Sequence, residues 1–250
     1  MTRRLAILAA LLSLCTTAQG GGGMMLLPLM DVATTSVTGL VARWTFATDA
    51  LDSSGNGFNA TLTNGAAVTG GSLLLDGTND YAFVADADAL TPTNGITLSC
   101  WYNLRTLPGN GVFYQFIAKE GSATDRSYYF AITDTAGQKI LIIVTSSNGT
   151  AFAEARHVIT TTTGVWHHAA FSGSATNYVI MHDGAEITRT SGTAPYFNAR
   201  LFNNSSPVQI GSRRTTPIDY LPGRIGKVDI YNYALTTNAL IAIYNEGSPP

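Results

Sequence analysis

Charge is scarce in this 250-residue chain: Asp, Glu, Lys and Arg together supply 12% of it, about half the share of an average soluble domain. There are three lysines, Lys119, Lys139 and Lys227, and the formal net charge is −2. Nucleic-acid binders neutralise phosphates with clustered Lys and Arg, so a chain with no basic stripe falls outside that class. Glutamate is equally thin, with Glu120, Glu154, Glu186 and Glu246 as the whole supply. A G-x-S-x-G elbow, an H-E-x-x-H helix and a phosphate-cradling glycine loop are all missing, which removes the commonest local signatures of esterases, zinc peptidases and nucleotide enzymes. Cysteine is limited to Cys15 and Cys100. The most apolar run near the N-terminus, residues 5–14, is about half of the roughly 20 residues that a membrane span requires.

What is present begins with a targeting pattern. Arg3 and Arg4 make a positive start, residues 5–14 an apolar stretch, and Ala18-Gln19-Gly20 a small-x-small cleavage site. Residues 1–20 are therefore expected to be a secretory signal, removed after Gly20. A lipid anchor at Cys15 fits less well, because Leu14 is bulky where such sites take a small residue. With Cys15 removed, Cys100 is the one remaining thiol and no internal disulfide can form. Secretion without disulfides points to a bacterial or viral source, in which a bound cation can replace the covalent staple. Residues 21–39 form a Gly- and Met-rich arm whose Met24-Met25-Leu26-Leu27-Pro28-Leu29-Met30 is expected to dock on something, a neighbouring copy included.

From Leu40 onward the chain reads as strand after strand. Short alternating or apolar runs appear at 41–46, 60–62, 72–75, 81–84, 96–104, 112–119, 128–133, 139–145, 152–159, 166–171, 177–182, 186–190, 208–211 and 223–231. Asn64-Gly65, Asp76-Gly77, Asn94-Gly95, Asn148-Gly149 and Asp183-Gly184 punctuate them as turns, the last being the clearest hairpin. Residues 236–244 alone have helical spacing, with Thr236 or Thr237 available as cap. The expected fold is all-β: a two-sheet antiparallel jelly-roll sandwich over residues 40–246, closed by a short C-terminal helical turn and a tail at 247–250.

The order of several landmarks carries a resemblance. Trp44-Thr45-Phe46 and Asp52-Ser53-Ser54-Gly55-Asn56-Gly57 come first, then Leu75-Asp76-Gly77-Thr78-Asn79-Asp80-Tyr81 and Thr97-Leu98-Ser99-Cys100-Trp101. Trp166-His167-His168-Ala169-Ala170, Met181-His182-Asp183-Gly184, Ile210-Gly211-Ser212 and the run from Gly223 to Leu235 complete the set. This series is similar to the laminin-G-like, concanavalin A-like jelly-roll family of bacterial and phage extracellular proteins. One departure is Gly226-Lys227-Val228-Asp229, where the family more often has an acidic pair.

The resemblance implies a structural calcium where the 52–57 loop meets the last strand, held by Asp52, Asn56 and Asp229. Calcium takes six to eight oxygens from carboxylates, amides and carbonyls, and this loop is rich in them. An Asx-type turn in which Asp52 and Asn56 bond their own backbone is the competing reading. Asp76 and Asp80 read chiefly as a hairpin turn. His167 and His168 are neighbours on a strand and so point to opposite faces, which argues against a shared ion; His157 and His182 read as isolated. Laminarinase-type relatives of this fold carry an E-x-D-x-x-E strand, which no glutamate here forms. Binding on such a sandwich belongs to its loops and its concave sheet. The aromatic and polar candidates are Arg126, Tyr128, Tyr129, Tyr196, Phe197, Arg213, Arg214 and Tyr220, of which Arg126, Tyr129, Arg213 and Tyr220 are taken as the binding set, since rings stack on sugars and guanidiniums hold hydroxyls. The function expected is a secreted, non-catalytic module that binds a glycan or a partner protein at a cell or virion surface. The alternative is a structural subunit of a filament or virion surface that self-associates through residues 21–39.

Overall fold

The computed structural model describes residues 38–192 and 201–250. The expected signal, all but Thr38 and Gly39 of the arm, and Tyr196 and Phe197 lie outside the described residues. The chain forms β1 (Leu40–Trp44), β2 (Thr61–Thr63), β3 (Ala67–Thr69), β4 (Ser72–Asp76) and β5 (Tyr81–Val84). After a 3-10 turn at Asp88–Leu90 come β6 (Ile96–Leu104), β7 (Phe113–Ser122), β8 (Asp125–Thr135), β9 (Gln138–Gly149) and β10 (Ala153–Ile159). Then follow β11 (His167–Gly173), β12 (Tyr178–His182), β13 (Ala185–Glu186), β14 (Val208–Ile210), β15 (Pro222–Tyr231) and the helix α1 (Thr237–Asn245).

Two antiparallel sheets result. One runs β13-β12-β11-β6-β15-β4-β3, with β1 also paired to β15; the other runs β10-β9-β8-β7-β14-β5-β2. Strand alternation builds the core between them. Leu98, Cys100 and Tyr102 of β6 and Ile225, Val228 and Ile230 of β15 meet Phe116 of β7, Tyr128 and Phe130 of β8 and Leu141 and Ile143 of β9, and all are buried. The opposite residues of β6 are buried too, because α1 lies over that face: Trp101 stacks on Tyr244 with ring centroids 5.4 Å apart, beside Ala170, Met181, Leu240 and Ile243. Thr236 starts the helix as expected, its side chain accepting from the Ala239 amide.

Turn chemistry fixes the register. Asp183 and Gly184 both have positive φ, 49° and 78°, as a two-residue turn between right-twisted strands requires. Gly223 cannot be another residue: an added Cβ would lie 2.2 Å from the Asn103 carbonyl oxygen.

Two expectations need correcting. β3 was not anticipated, since Ala67–Thr69 is too short to show alternation and pairs only with β4 across the Gly70-Gly71 turn. The strand expected at 186–190 ends at Glu186, because the chain leaves the eight-stranded sheet there and crosses to the other, where Thr190 and Ser191 bond the backbone of Arg156 in β10.

Candidate functional site

Among the described residues no helix covers the outer face of the seven-stranded sheet. Register places Phe83, Gln209, Ala118, Tyr129, Val144 and Glu154 on one rung of that face. The next rungs carry Gln115, Ala131 and Ile142, then Phe113, Thr133 and Ile140. Ala118, Tyr129, Ala131, Ile142 and Val144 form a small apolar cluster with Phe113 against it.

Above this floor sits a guanidinium cluster. Bulges in β7 flank Glu120 and set it opposite Arg126 of β8. The Glu120 side chain is fully buried. Its Oε1 lies 3.3 Å from Arg126 Nη2 and accepts from Arg214 Nε at 3.3 Å, while Oε2 accepts from Arg213 Nη1 at 3.0 Å. The loop joining β14 to β15 supplies both arginines through a narrow backbone pairing of Arg213 with Ile218, and Arg213 Nε donates to Asp219 Oδ2 at 2.6 Å. The Arg213 guanidinium lies 4.9 Å from the Tyr129 ring centroid and 5.7 Å from that of Phe113; Arg126 lies 4.6 Å from that of Phe152. Burial disfavours the charge on Arg213, but Glu120 and Asp219 more than offset it and hold the group above its ordinary value. Burial pushes the Tyr129 phenol up, so it stays a neutral hydroxyl.

Beneath the arginines the floor is polar and unsatisfied. Both amide atoms of Gln115, Oε1 of Gln209, Oγ of Ser127 and Nε and Nη1 of Arg126 are buried without a hydrogen-bond partner. A buried polar atom left unpaired costs about 1–3 kcal/mol, so such groups ask for water or ligand oxygens. The site thus gathers rings, forked donors and unpaired amides in one largely buried cluster, with Phe152 exposed at its rim.

Three of the four expected binding residues, Arg126, Tyr129 and Arg213, therefore share one cluster. Tyr220 does not join it: its ring lies against Tyr81 of β5 at 6.4 Å and its hydroxyl donates to Pro217 O. Glu120, Asp219, Gln115, Gln209, Phe113 and Phe152 were not singled out from sequence. Glu120 was hidden because the alternation of β7 breaks at its bulges, and the glutamines read as ordinary outward residues.

The residues proposed for calcium are neighbours but do not form an oxygen cage. Asp52 Oδ1 accepts from the amides of Arg43 and Ser54, and Oδ2 from the Ser54 hydroxyl and the Phe58 amide. Burial opposes the Asp52 charge, yet these bonds draw its carboxyl below its ordinary value. Asn56 turns its amide nitrogen to Val41 O at 2.8 Å. Asp229, fully buried, is gripped through both oxygens by Arg43 Nε and Nη2, each at 2.7 Å. A guanidinium stands where a cation would have to sit, so this donor set does not fit calcium. Asp76 closes an Asx turn on the amides of Thr78 and Asn79.

Two antiparallel sheets packed face to face and closed by one short C-terminal helix define a jelly-roll sandwich. The sequence profile of the concanavalin A-like lectin/glucanases superfamily matches residues 76–240, and the chain belongs to that family. Solved structures share the fold. Domain 4 of AbnA, a GH43 extracellular arabinanase from Geobacillus stearothermophilus solved in complex with arabinotriose, is 22% identical with a TM-score of 0.63, over 82% of this chain and 97% of its own. The binding domain of Paraclostridial Mosquitocidal Protein 1 is 16% identical, TM-score 0.64, over 83% of this chain and 52% of its own. The binding domain of Botulinum Neurotoxin DC, in complex with SialylT, is 12% identical, TM-score 0.61, over 84% of this chain and 52% of its own. The chain thus spans about half the length of the two toxin domains. Among curated protein sequences none matches it.

Proposed function

We propose that this chain is a secreted, non-catalytic recognition module that binds a glycan on the outer face of its seven-stranded sheet, at Arg126, Tyr129 and Arg213. The observation that carries this reading is the set of buried, unpartnered donors and acceptors of Gln115, Gln209 and Arg126 lying beside the rings of Tyr129, Phe113 and Phe152. Sugars offer both counterparts, hydroxyls for the amides and guanidiniums and apolar C–H faces for the rings. Two similar domains solved with arabinotriose and with SialylT support the same ligand class. The buried acid of the cluster is engaged by three arginines, an arrangement suited to holding a surface rigid and not to donating a proton to a leaving group.

The test is an immobilised oligosaccharide array that includes arabino-oligosaccharides and sialylated glycans, read with wild type, Phe152→Ala and Arg213→Lys. Phe152 is 51% exposed, so its loss leaves the fold intact. Removing one stacked ring costs about 0.5–1.5 kcal/mol, roughly a 2- to 13-fold loss of affinity. Arg213→Lys keeps the charge but loses the planar fork, and is expected to weaken binding further. Glycan binding unchanged in both variants, or binding to proteins with no glycan bound at all, overturns the reading.

A further inference from the structure

At the other edge of the sandwich, on the eight-stranded sheet, three metal-ligating side chains converge that play no part in the glycan site. His167 opens β11, His182 ends β12 and Asp183 begins the turn after it. Because Ala169 pairs with His182, His167 and His182 share the inward face, while His168 points the other way and donates its amide to Asp183 Oδ1. The imidazoles stack with centroids 5.3 Å apart and planes 19° from parallel. Both aim Nδ1 at one carboxylate oxygen: Asp183 Oδ2 lies 2.7 Å from His167 Nδ1 and 3.6 Å from His182 Nδ1. The three ligand atoms lie within 4.8 Å of one another.

We propose that His167, His182 and Asp183 form a site for a divalent transition metal of the zinc class, bound through His167 Nδ1, His182 Nδ1 and Asp183 Oδ2 with water in the fourth position. Tetrahedral zinc with bonds of about 2.0–2.1 Å sets its ligand atoms about 3.3 Å apart. The 2.7 Å pair opens and the 3.6 Å pair closes by a few tenths of an ångström to reach that spacing. The outer nitrogen of His182 already has the oxygen partner that a metal-bound imidazole uses. Tyr102, wholly buried, donates its hydroxyl proton to Thr161 Oγ1 and so receives the Nε2 proton of His182 at 2.8 Å. That fixes a lone pair on His182 Nδ1, facing the Asp183 oxygen with no proton between them, an electron-rich pair that a cation relieves.

His167 is primed differently. The Thr162 amide donates to its Nε2 at 3.2 Å, so without metal the proton sits on Nδ1 and bonds Asp183. Metal binding requires the proton on Nε2 instead, which breaks the bond from the Thr162 amide and leaves Thr162 Oγ1, at 3.3 Å, as the acceptor. Solvent reaches the site through Asp183, whose side chain is 37% exposed. Two imidazoles and a single carboxylate select zinc, cobalt or nickel over calcium and magnesium, which take all-oxygen shells. The bound ion would tie β11, β12 and the 161–162 segment together.

The experiment is titration of EDTA-stripped, full-chain protein with zinc chloride by calorimetry, and with cobalt chloride by visible absorption. The expected result is one equivalent bound, a raised melting temperature with zinc and none with calcium, and intense d–d bands between about 500 and 650 nm of a four-coordinate cobalt site. His167→Gln abolishes the bands. Tyr102→Phe, which removes the oxygen that accepts from His182 Nε2, weakens zinc binding about 10-fold. Should a substitution unfold the protein, the cobalt spectrum and stoichiometry of the wild type decide alone. Absence of zinc binding below about 100 µM, six-coordinate weak bands, or binding unchanged in folded His167→Gln overturns the proposal.

Discussion

Replacing Arg43 by Met tests how the interior tolerates charge. The Asp229 carboxylate is inaccessible to solvent and both its oxygens are held by Arg43 at 2.7 Å. Arg43 itself is 21% exposed and also reaches Glu246 Oε2 at 3.2 Å. Burial opposes the charge on Arg43, but the bond to Asp229 and its field prevail and hold it firmly protonated; burial also pushes the Asp229 carboxyl up, and Arg43 draws it back in part. Methionine keeps the aliphatic stem and removes the guanidinium, leaving an uncompensated buried charge, which costs about 3–5 kcal/mol. For a domain of this size that lowers the midpoint by roughly 6–20 °C. The double variant Arg43→Met, Asp229→Leu has no charge left to strand and should return to within about 1–2 kcal/mol of wild type. The lone carboxylate of the single variant has a folded pKa above its unfolded one, so its folded state takes up a proton first. The deficit against wild type must therefore shrink as pH falls below neutral. Circular-dichroism melts and urea titrations at two pH values read all of this. A single variant losing less than about 1 kcal/mol, or a double variant as unstable as the single, refutes the reasoning.

Three further outcomes follow from the geometry. His157 is buried and burial pushes its imidazole below the ordinary value, so the unfolded chain takes up a proton that the folded one resists; stability is whole above about pH 6.5 and falls below it, and a His157→Gln slope identical to wild type in urea melts between pH 7 and 5 would refute this. Gly223→Ala drives a methyl onto the Asn103 carbonyl and should cost at least about 2 kcal/mol by denaturant titration, whereas Gly137→Ala, with open space around it, costs less despite its positive φ. Because the carboxylate oxygens of Asp52 and Asp229 already accept hydrogen bonds, EGTA is expected to leave the thermal midpoint unchanged, and a fall of several degrees would restore the calcium reading of that loop.

Much of the sandwich was legible because its strands speak a two-residue code. β5 and β6 were expected at the residues they occupy, and the Asp183-Gly184 hairpin and the Thr236 cap follow from single residue types whose conformations are narrow. The failures share a cause. β3 is held by one neighbour and a double-glycine turn, and the strand after Glu186 changes sheets, and neither event alters local alternation. The candidate site was half legible: Arg126, Tyr129 and Arg213 were named from chemistry, but Glu120, which ties the two arginines together, sits among bulges that no periodicity reveals. The histidines show the same limit. His182 looked solitary along the chain because its partner, His167, lies one strand away, and only register brings them face to face.

The position of β15 has a consequence for how this protein comes into being. Residues 222–231 are made after every other described strand, yet they are the spine to which β6, β4 and β1 all pair. Until they are synthesised, the eight-stranded layer is three unjoined pieces, β13-β12-β11-β6, β4-β3 and β1, and such long-range closure is slow. The seven-stranded layer, whose last strand ends at Ile210, has all its strands first and must wait for its partner.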